Sequence, residues 1–229
     1  MTKTRSFGHP VREPRPSPSQ GNPQVRGYVL AGGASSRFGR DKALVPLAGK
    51  PCLARMLELL GQSGVRETLV IGKKSLYGHL GSPCVADKWP GEGPLGGIIT
   101  ALRCSGPNKY GYLWNLIVSC DMPFLTAKWL EHILKTAFKS EADVVLAKSE
   151  HGPEPLCAVW RTSCCDAVEA QFQRGVRRVN EAIGHLKSEV LDAEDWKRFD
   201  SAGRLFWNMN TFADYEEAQR ILEAEQKQT

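Results

Sequence analysis

Residues 27–42 read GYVLAGGASSRFGRDK, an apolar run that passes directly into a glycine-rich loop carrying cations. The apolar run predicts a buried first β-strand. The glycine pair that follows lets the backbone approach a ligand closely and turn its N–H groups toward an anion. Arg37 and Lys42 add positive charge to the same loop, and this combination suits a triphosphate. The segment therefore predicts an α/β fold with a phosphate site at the end of the first strand.

Short apolar runs alternate with helical patterns along the rest of the chain. Strands are predicted at 27–30, 68–71, 113–119, 143–147 and 156–160. Helices are predicted from Pro51 onward, over 95–102, over 130–137 and after Thr211, where Thr211 and Asp214 have the spacing of a capping box. This alternation is typical of a three-layer fold in which helices cover both faces of a mostly parallel sheet.

The domain organisation follows from charge and proline content. Residues 1–26 hold five basic residues against one acidic residue, which accounts for +4 of the net charge of +5. They also contain five prolines and few apolar residues, so we predict a disordered, basic, proline-rich tail. Residues 27–229 are predicted to form a single domain that is nearly neutral. This distribution argues against nucleic acid as a partner.

Compartment and membrane contact are also indicated by the sequence. No apolar run approaches the ~20 residues of a membrane span, and the first ten residues lack the apolar core of a signal peptide. The seven cysteines are scattered without a CxxC pair, which is typical of reduced thiols. We therefore expect a cytoplasmic protein that has no membrane partner.

A second candidate site lies in SCDMP, residues 119–123, after the most apolar predicted strand. Ligands of open α/β sheets gather at the carboxyl ends of strands. A carboxylate there, from Asp121, is suited to hold Mg²⁺ beside phosphates. Asp87 follows another candidate strand and is expected at the same edge of the sheet.

Two familiar phosphate motifs do not explain this chain. The pattern GxxxxGK[ST] fits nowhere in the first loop. Residues 91–96 formally match GxGxxG, but they follow a polar stretch instead of the first strand. We interpret them as a loop that leads into the helix over 95–102.

Several motifs together resemble one family. The stretch LAGGASSRFGRDK is similar to the nucleotidyltransferase signature LAGGxSxRMGxDK. Further similar pieces are GKP at 49–51, GPLGGI at 93–98, CDMPFL at 120–125, EPLCAVW at 154–160, GVRRV at 175–179 and NMNT at 208–211. In consistent order over about 27–220, the set resembles the molybdenum cofactor guanylyltransferases. Phe38 and Phe212 depart from the usual Met and Pro of the family pattern, and neither change removes a charged group.

The resemblance implies a Rossmann-like nucleotide-diphospho-sugar transferase fold and a set of site residues. It implies transfer of GMP from GTP to the phosphate of molybdopterin, with Mg²⁺ and with release of pyrophosphate. It also implies possible contacts with molybdoenzyme-maturation proteins. The implied nucleotide-binding residues are Leu30, Ala31, Gly32, Gly33, Lys42, Asp87 and Asp121. The implied catalytic residues are Arg37, Lys42 and Asp121, of which Asp121 would bind the metal. The implied acceptor-binding residues are Arg177, Arg178, Asn208 and Asn210.

Alternatives remain open on the sequence alone. A related nucleotidyltransferase that uses CTP or another phosphorylated acceptor has similar spacing. A non-catalytic nucleotide-binding protein on the same fold is a third interpretation, and the intact Arg37, Lys42 and Asp121 argue against it.

Overall fold

A seven-stranded sheet forms the centre of the structure, a computed structural model that describes residues 25–32, 41–106, 112–200 and 202–227. The strands are β1 (Val25–Leu30), β2 (Pro46–Leu47), β3 (Lys50–Pro51), β4 (Thr68–Ile71), β5 (Cys84–Val85), β6 (Trp114–Ser119), β7 (Val144–Ser149), β8 (Gly152–Arg161) and β9 (Ser188–Leu191). Strands β2 and β3 form a separate small hairpin, and the remaining strands form the sheet.

The sheet is mostly parallel, as the sequence predicts. Its strand order is β5-β4-β1-β6-β8-β7-β9. Strand β8 runs antiparallel to both of its neighbours, whereas the other four pairings are parallel. β1 and β6 are entirely buried, and such strands are expected to be continuous apolar runs because helices cover both faces.

Helices cover both faces of the sheet and complete the predicted three layers. The helices are α1 (Cys52–Gln62), α2 (Lys74–Tyr77), α3 (Pro94–Ser105), α4 (Ala127–Ala137), α5 (Cys165–Gln173), α6 (Val179–Ile183), α7 (Ala193–Trp196) and α8 (Phe212–Gln226). One core cluster contains most of the buried apolar residues of α1 and those of α4, and a second contains the buried apolar residues of α3, α5 and α6. The expected capping box of Thr211 and Asp214 is present and begins α8.

Strand β1 begins at Val25, two residues earlier than the sequence predicts. Arg26, which the sequence assigns to the tail, therefore lies in the sheet and is 5% exposed. Its guanidinium donates to Glu67 at 2.6 Å and lies 4.0 Å from the centre of the Tyr112 ring. An arginine can be buried in this way because its charge is paired and its planar face stacks. The rest of the predicted tail, residues 1–24, lies outside the described residues.

The structure also bears on membrane-spanning helices and on disulfide bonds. Within the described ranges, no helix is both long enough and apolar enough to cross a bilayer. All seven cysteines are free, in agreement with their scattered spacing.

Candidate functional site

The two candidate segments, which follow β1 and β6, leave the sheet side by side. β1 pairs with β6 in parallel, and the last residues of the two strands, Leu30 and Ser119, are register partners. Ala31 and Gly32 continue from one strand, while Cys120 and Asp121 continue from the other. The structure therefore brings the start of the glycine loop next to the predicted metal carboxylate, at the carboxyl edge of the sheet.

Lys42 reaches this edge from a short 3₁₀ turn over Lys42–Leu44. Its Nζ donates to the carbonyl oxygen of Met209 at 2.5 Å and lies 3.4 Å from Oδ1 of Asn210. The same Nζ lies 3.8 Å from Oδ2 of Asp121. A loop near the start of the chain and a segment near its end are therefore joined through one ammonium group.

Asp121 is held in place on both its backbone and its side chain. Its carbonyl oxygen accepts from the backbone N–H of Met209 at 2.9 Å. Its Oδ1 accepts from the hydroxyl of Ser119 at 2.6 Å, and its side chain is 22% exposed. One carboxylate oxygen is thus fixed by a hydrogen bond, and Oδ2 is directed toward Lys42.

A pair that sequence reasoning missed fixes the turn that carries Lys42. The Oδ1 of Asp41 accepts from the backbone N–H of Ala43 at 3.0 Å, and its Oδ2 accepts from the hydroxyl of Tyr77 at 2.7 Å. Burial raises the pKa of Tyr77, and its hydrogen bond to Asp41 raises it further, so the hydroxyl remains a donor. The adjacent position of Asp41 and Lys42 was visible in the sequence, but nothing there indicated Tyr77.

Glycines permit close packing where β1 ends. Ala31 is buried, and its N–H donates to the carbonyl oxygen of Ile71 at 2.8 Å. A Cβ on Gly72 would lie only 2.1 Å from the carbonyl oxygen of Ala31. Gly32 is exposed and has a φ of 145°, which a side chain would disfavour. The backbone at this strand end is therefore open to a ligand at Gly32.

Asp87 lies on the opposite side of β1 from Asp121, after edge strand β5. Its Oδ1 accepts from the hydroxyl of Thr100 at 3.1 Å and from the backbone N–H of Trp89 at 3.0 Å. The glycines of GPLGGI explain how α3 comes so close. A Cβ on Gly96 would lie 2.9 Å from Cβ of Trp89, and a Cβ on Gly97 would lie 3.3 Å from Cδ2 of Leu30. Helix α3 thereby links Asp87 to the end of β1.

The residues predicted to bind the acceptor fall in two places. Asn208 and Asn210 line a cleft of about 650 Å³ between the β7–β8 hairpin and residues 202–214, which we call the hairpin cleft. Arg177 instead lies beside the loop before α3, where its Nε donates to Glu92 at 2.7 Å and its guanidinium stacks 3.9 Å from the centre of the Phe172 ring. Arg178 is exposed and immediately precedes α6. Neither arginine is among the described residues that line the hairpin cleft.

Two predicted residues, Gly33 and Arg37, lie outside the described residues. Among the residues that are described, no group of three or more His, Cys, Asp or Glu side chains could hold a metal ion. Asp121 could contribute one carboxylate to a metal that takes its other ligands from a bound phosphate and from water, which is the usual arrangement for Mg²⁺.

Comparisons with known proteins identify the family of this chain. The sequence pattern of the MobA-like NTP transferase domain matches residues 27–188. A probable molybdenum cofactor guanylyltransferase of Chloroflexus aggregans is 31% identical over 202 residues, covering 86% of this chain and 95% of the relative. A probable molybdenum cofactor guanylyltransferase of Carboxydothermus hydrogenoformans is 30% identical over 193 residues, covering 84% of this chain and 94% of that protein.

Solved structures show the same architecture. The molybdopterin-guanine dinucleotide biosynthesis protein A of Archaeoglobus fulgidus superposes with a TM-score of 0.75 at 27% identity, covering 87% of this chain and 99% of that one. A nucleotidyl transferase from Methanothermobacter superposes with a TM-score of 0.70 at 15% identity, covering 89% and 100% of the two chains, and shares the fold. The fold is the Rossmann-like nucleotide-diphospho-sugar transferase fold that the sequence predicts. The chain therefore belongs to the family of MobA-like NTP transferase domains and is a nucleotidyltransferase.

Proposed function

We propose that this nucleotidyltransferase transfers GMP from GTP to the terminal phosphate of molybdopterin and releases pyrophosphate. The observation that carries the proposal is the convergence of Lys42, Asp121 and Asn210 at the edge where β1 and β6 end side by side. The names of the relatives at 30% and 31% identity support GTP and the molybdenum cofactor as substrates.

The reaction needs little proton transfer from the protein. A phosphate monoester has its second pKa near ~6, so the acceptor phosphate is largely dianionic at pH 7. Its oxygen forms a bond to the α-phosphorus of GTP, and the bond between the α-phosphorus and the bridging oxygen breaks. That oxygen leaves with pyrophosphate. Catalysis then depends on positioning and on neutralising charge, and Lys42 supplies a cation at the required edge.

A magnesium ion fits the donor set at Asp121. Ser119 fixes Oδ1 of the carboxylate, and Oδ2 is 3.8 Å from the Lys42 ammonium, too far for a strong hydrogen bond. We infer that Asp121 would hold Mg²⁺, whose chemistry is to neutralise charge on the phosphates. Lys42 would contact the triphosphate, and Leu30, Ala31, Gly32 and Asp87 would hold the nucleoside.

The test is pyrophosphate release with each of the four NTPs, with and without molybdopterin. We expect release only with GTP plus molybdopterin and Mg²⁺. Release with CTP would point to a cytidylyltransferase, and release with a different phosphorylated acceptor would point to another branch of the fold. No release with any NTP would contradict the proposed function.

Site variants then test the role of the carboxylate. Asp121→Asn keeps the size of the side chain but removes its charge, so we expect loss of turnover with an unchanged unfolding midpoint. Asp166→Asn is the matched control, because Asp166 is 85% exposed on α5 and pairs with Arg103. Normal Mg²⁺-dependent turnover by Asp121→Asn would refute the metal assignment.

A further inference from the structure

The hairpin cleft contains a buried carboxyl group that the proposed mechanism does not use. Glu154 lies near the start of β8 and is 9% exposed. β8 pairs antiparallel with β6 as far as Val118 and Cys157, so Glu154 extends beyond the end of β6 at the same edge as Asp121. Glu154 therefore lies at the edge of the sheet that carries Asp121, and it is the first residue of the motif EPLCAVW, to which the sequence assigned no role.

The carboxyl group of Glu154 has few partners for a charge so deeply placed. Its Oε1 accepts from the hydroxyl of Ser149 at 2.5 Å. Within the described ranges, no lysine or arginine lies within salt-bridge distance, and Oε2 accepts no hydrogen bond. Burial raises the pKa of Glu154, while nearby His151 favours its charged form. Oε2 is not among the buried polar atoms of the described residues that lack a partner, so it is accessible from the cleft that Glu154 lines, and the donors of a ligand can reach it there.

The two ends of the hairpin cleft differ in charge. Glu150 and Glu154 line it on the β7–β8 hairpin, so a phosphate bound between them would be repelled, whereas Asp214 lies at the other end, where its Oδ2 accepts from the backbone N–H of Asn210 at 2.7 Å. Asn210 also lines it, and Oδ1 of Asn210 lies 3.4 Å from the Lys42 ammonium. An acceptor that carries a phosphate at one end therefore fits with that phosphate toward Lys42 and with an N–H-bearing end toward Glu154.

Aromatic side chains give the hairpin cleft walls suited to a flat ring. Trp196, Phe206 and Trp207 all line it, with Trp196 and Phe206 only 3% and 6% exposed, so Trp207 is the most accessible of the three. Trp207 is half-buried and stacks on Phe124 with ring centres 5.5 Å apart, which fixes its orientation. The indole N–H of Trp196 is held by the carbonyl oxygen of Lys148 at 3.0 Å. Rigid aromatic surfaces beside a convergent polar group are typical of sites for heterocycles.

We propose that the hairpin cleft receives the heterocyclic end of the acceptor, and that the Glu154 carboxylate accepts hydrogen bonds from the amino and ring N–H groups of a 2-amino-4-oxopyrimidine edge. The inference rests on the proposed function, since the pterin of molybdopterin presents this edge. Glu154 is then a residue that determines acceptor specificity, and it takes no part in phosphoryl transfer.

Glu154→Gln tests the proposal because it keeps the size of the side chain and the acceptor for Ser149 but turns an amide N–H₂ toward the ligand donors. Hydrogen bonds to a charged group contribute roughly 1.5–3 kcal/mol, which is about 10- to 150-fold in affinity. We expect the KM for molybdopterin to rise by that factor, with the KM for GTP within twofold of wild type. The matched control is Glu189→Gln, a half-buried glutamate on β9, for which both values should remain unchanged.

Binding of free 2-amino-4-oxopteridine, followed by its fluorescence in the absence of nucleotide, separates this inference from the proposed function. Wild type should bind it and Glu154→Gln should not, whichever NTP the enzyme uses. Normal turnover together with an unchanged molybdopterin KM in Glu154→Gln would overturn the inference and leave the proposed function intact. Should Glu154→Gln fail to fold, Glu154→Asp retains the charge but shortens its reach. A Glu154→Asp variant with wild-type pteridine affinity would likewise overturn the inference.

Discussion

Removing the hydroxyl of Tyr77 should weaken nucleotide binding although Tyr77 does not face the ligand. In the structure, that hydroxyl donates to Oδ2 of Asp41 at 2.7 Å, and Asp41 caps the turn on which Lys42 stands. Tyr77 is 1% exposed, so no water replaces the lost donor without rearrangement. Tyr77→Phe therefore releases one of the two oxygens that fix the Lys42 turn.

The size of the effect follows from the kind of bond. A hydrogen bond to a charged partner contributes roughly 1.5–3 kcal/mol, so we expect Tyr77→Phe to lower the free energy of unfolding by about that amount. The loss of binding free energy for Mg·GTP cannot exceed the free energy of the lost hydrogen bond between Tyr77 and Asp41. This sets an upper limit of roughly 10- to 150-fold on the rise in Kd, and we expect roughly tenfold.

The assay is isothermal titration of Mg·GTP into each variant, with urea unfolding measured on the same samples. Tyr28→Phe is a matched control, because Tyr28 is also fully buried and its hydroxyl is 2.7 Å from the hydroxyl of Ser105, in the core cluster on the other face. The Tyr28 hydroxyl also interacts with the charged Arg26 guanidinium, so its loss should cost a similar amount, roughly 1.5–3 kcal/mol, and leave the Kd unchanged. An unchanged Kd in Tyr77→Phe, or an equal rise in both variants, would refute the reasoning.

Three further predictions concern packing and titration. Gly72→Ala should destabilise the fold by about 3 kcal/mol, because its Cβ would lie 2.1 Å from the carbonyl oxygen of Ala31. Gly61→Ala on α1 is the control, because its Cβ meets nothing within 4 Å and should stabilise the helix by about 0.5–1 kcal/mol. Urea unfolding measures both changes. Burial raises the pKa of Glu154 above its ordinary 4.5, so this carboxyl group stabilises the folded state at low pH and the contribution is lost as the pH rises. The free energy of unfolding of Glu154→Gln, relative to wild type, should therefore be higher at pH 7.5 than at pH 4. Equal differences from wild type at the two pH values would contradict the assignment. Burial and the neighbouring Asp121 charge raise the pKa of Cys120 well above its usual range. Iodoacetamide at pH 8 should therefore leave this thiol unmodified in the folded enzyme and alkylate it in urea. Peptide mass mapping measures the modification in both conditions.

Strands in the middle of the sheet could be predicted from the sequence, and elements at its edges could not. The expected strand at 68–71 is confirmed at its observed bounds, because TLVI is a continuous apolar run. Strand β9 was missed, since Ser188–Leu191 carries exposed and half-buried positions at the edge of the sheet. Helix α5 was also missed, because its hydrophobic face is built partly from cysteine and glutamine, at Cys165 and Gln171.

Some residues of the candidate site could be predicted from the sequence, and others could not. Lys42 and Asp121 could be predicted because each follows an apolar strand in a motif of charged and small residues. Tyr77 could not, since it lies 36 residues from Asp41 and resembles any core aromatic residue. Glu154 opens the motif EPLCAVW, but its burial could not be predicted, because a glutamate at the start of a strand is usually solvated and only the tertiary structure buries it.

The hydrogen bonds that Met209 accepts from Lys42 and donates to Asp121 have a consequence for the order in which the site forms. The seven-stranded sheet is complete once Leu191 has left the ribosome, but the residue that bridges the lysine and the aspartate comes later. A nascent chain with its sheet already formed thus lacks the clamp between its two charged loops. Truncation of the chain before Met209 would therefore leave all seven strands in place and remove the contacts that join these two loops.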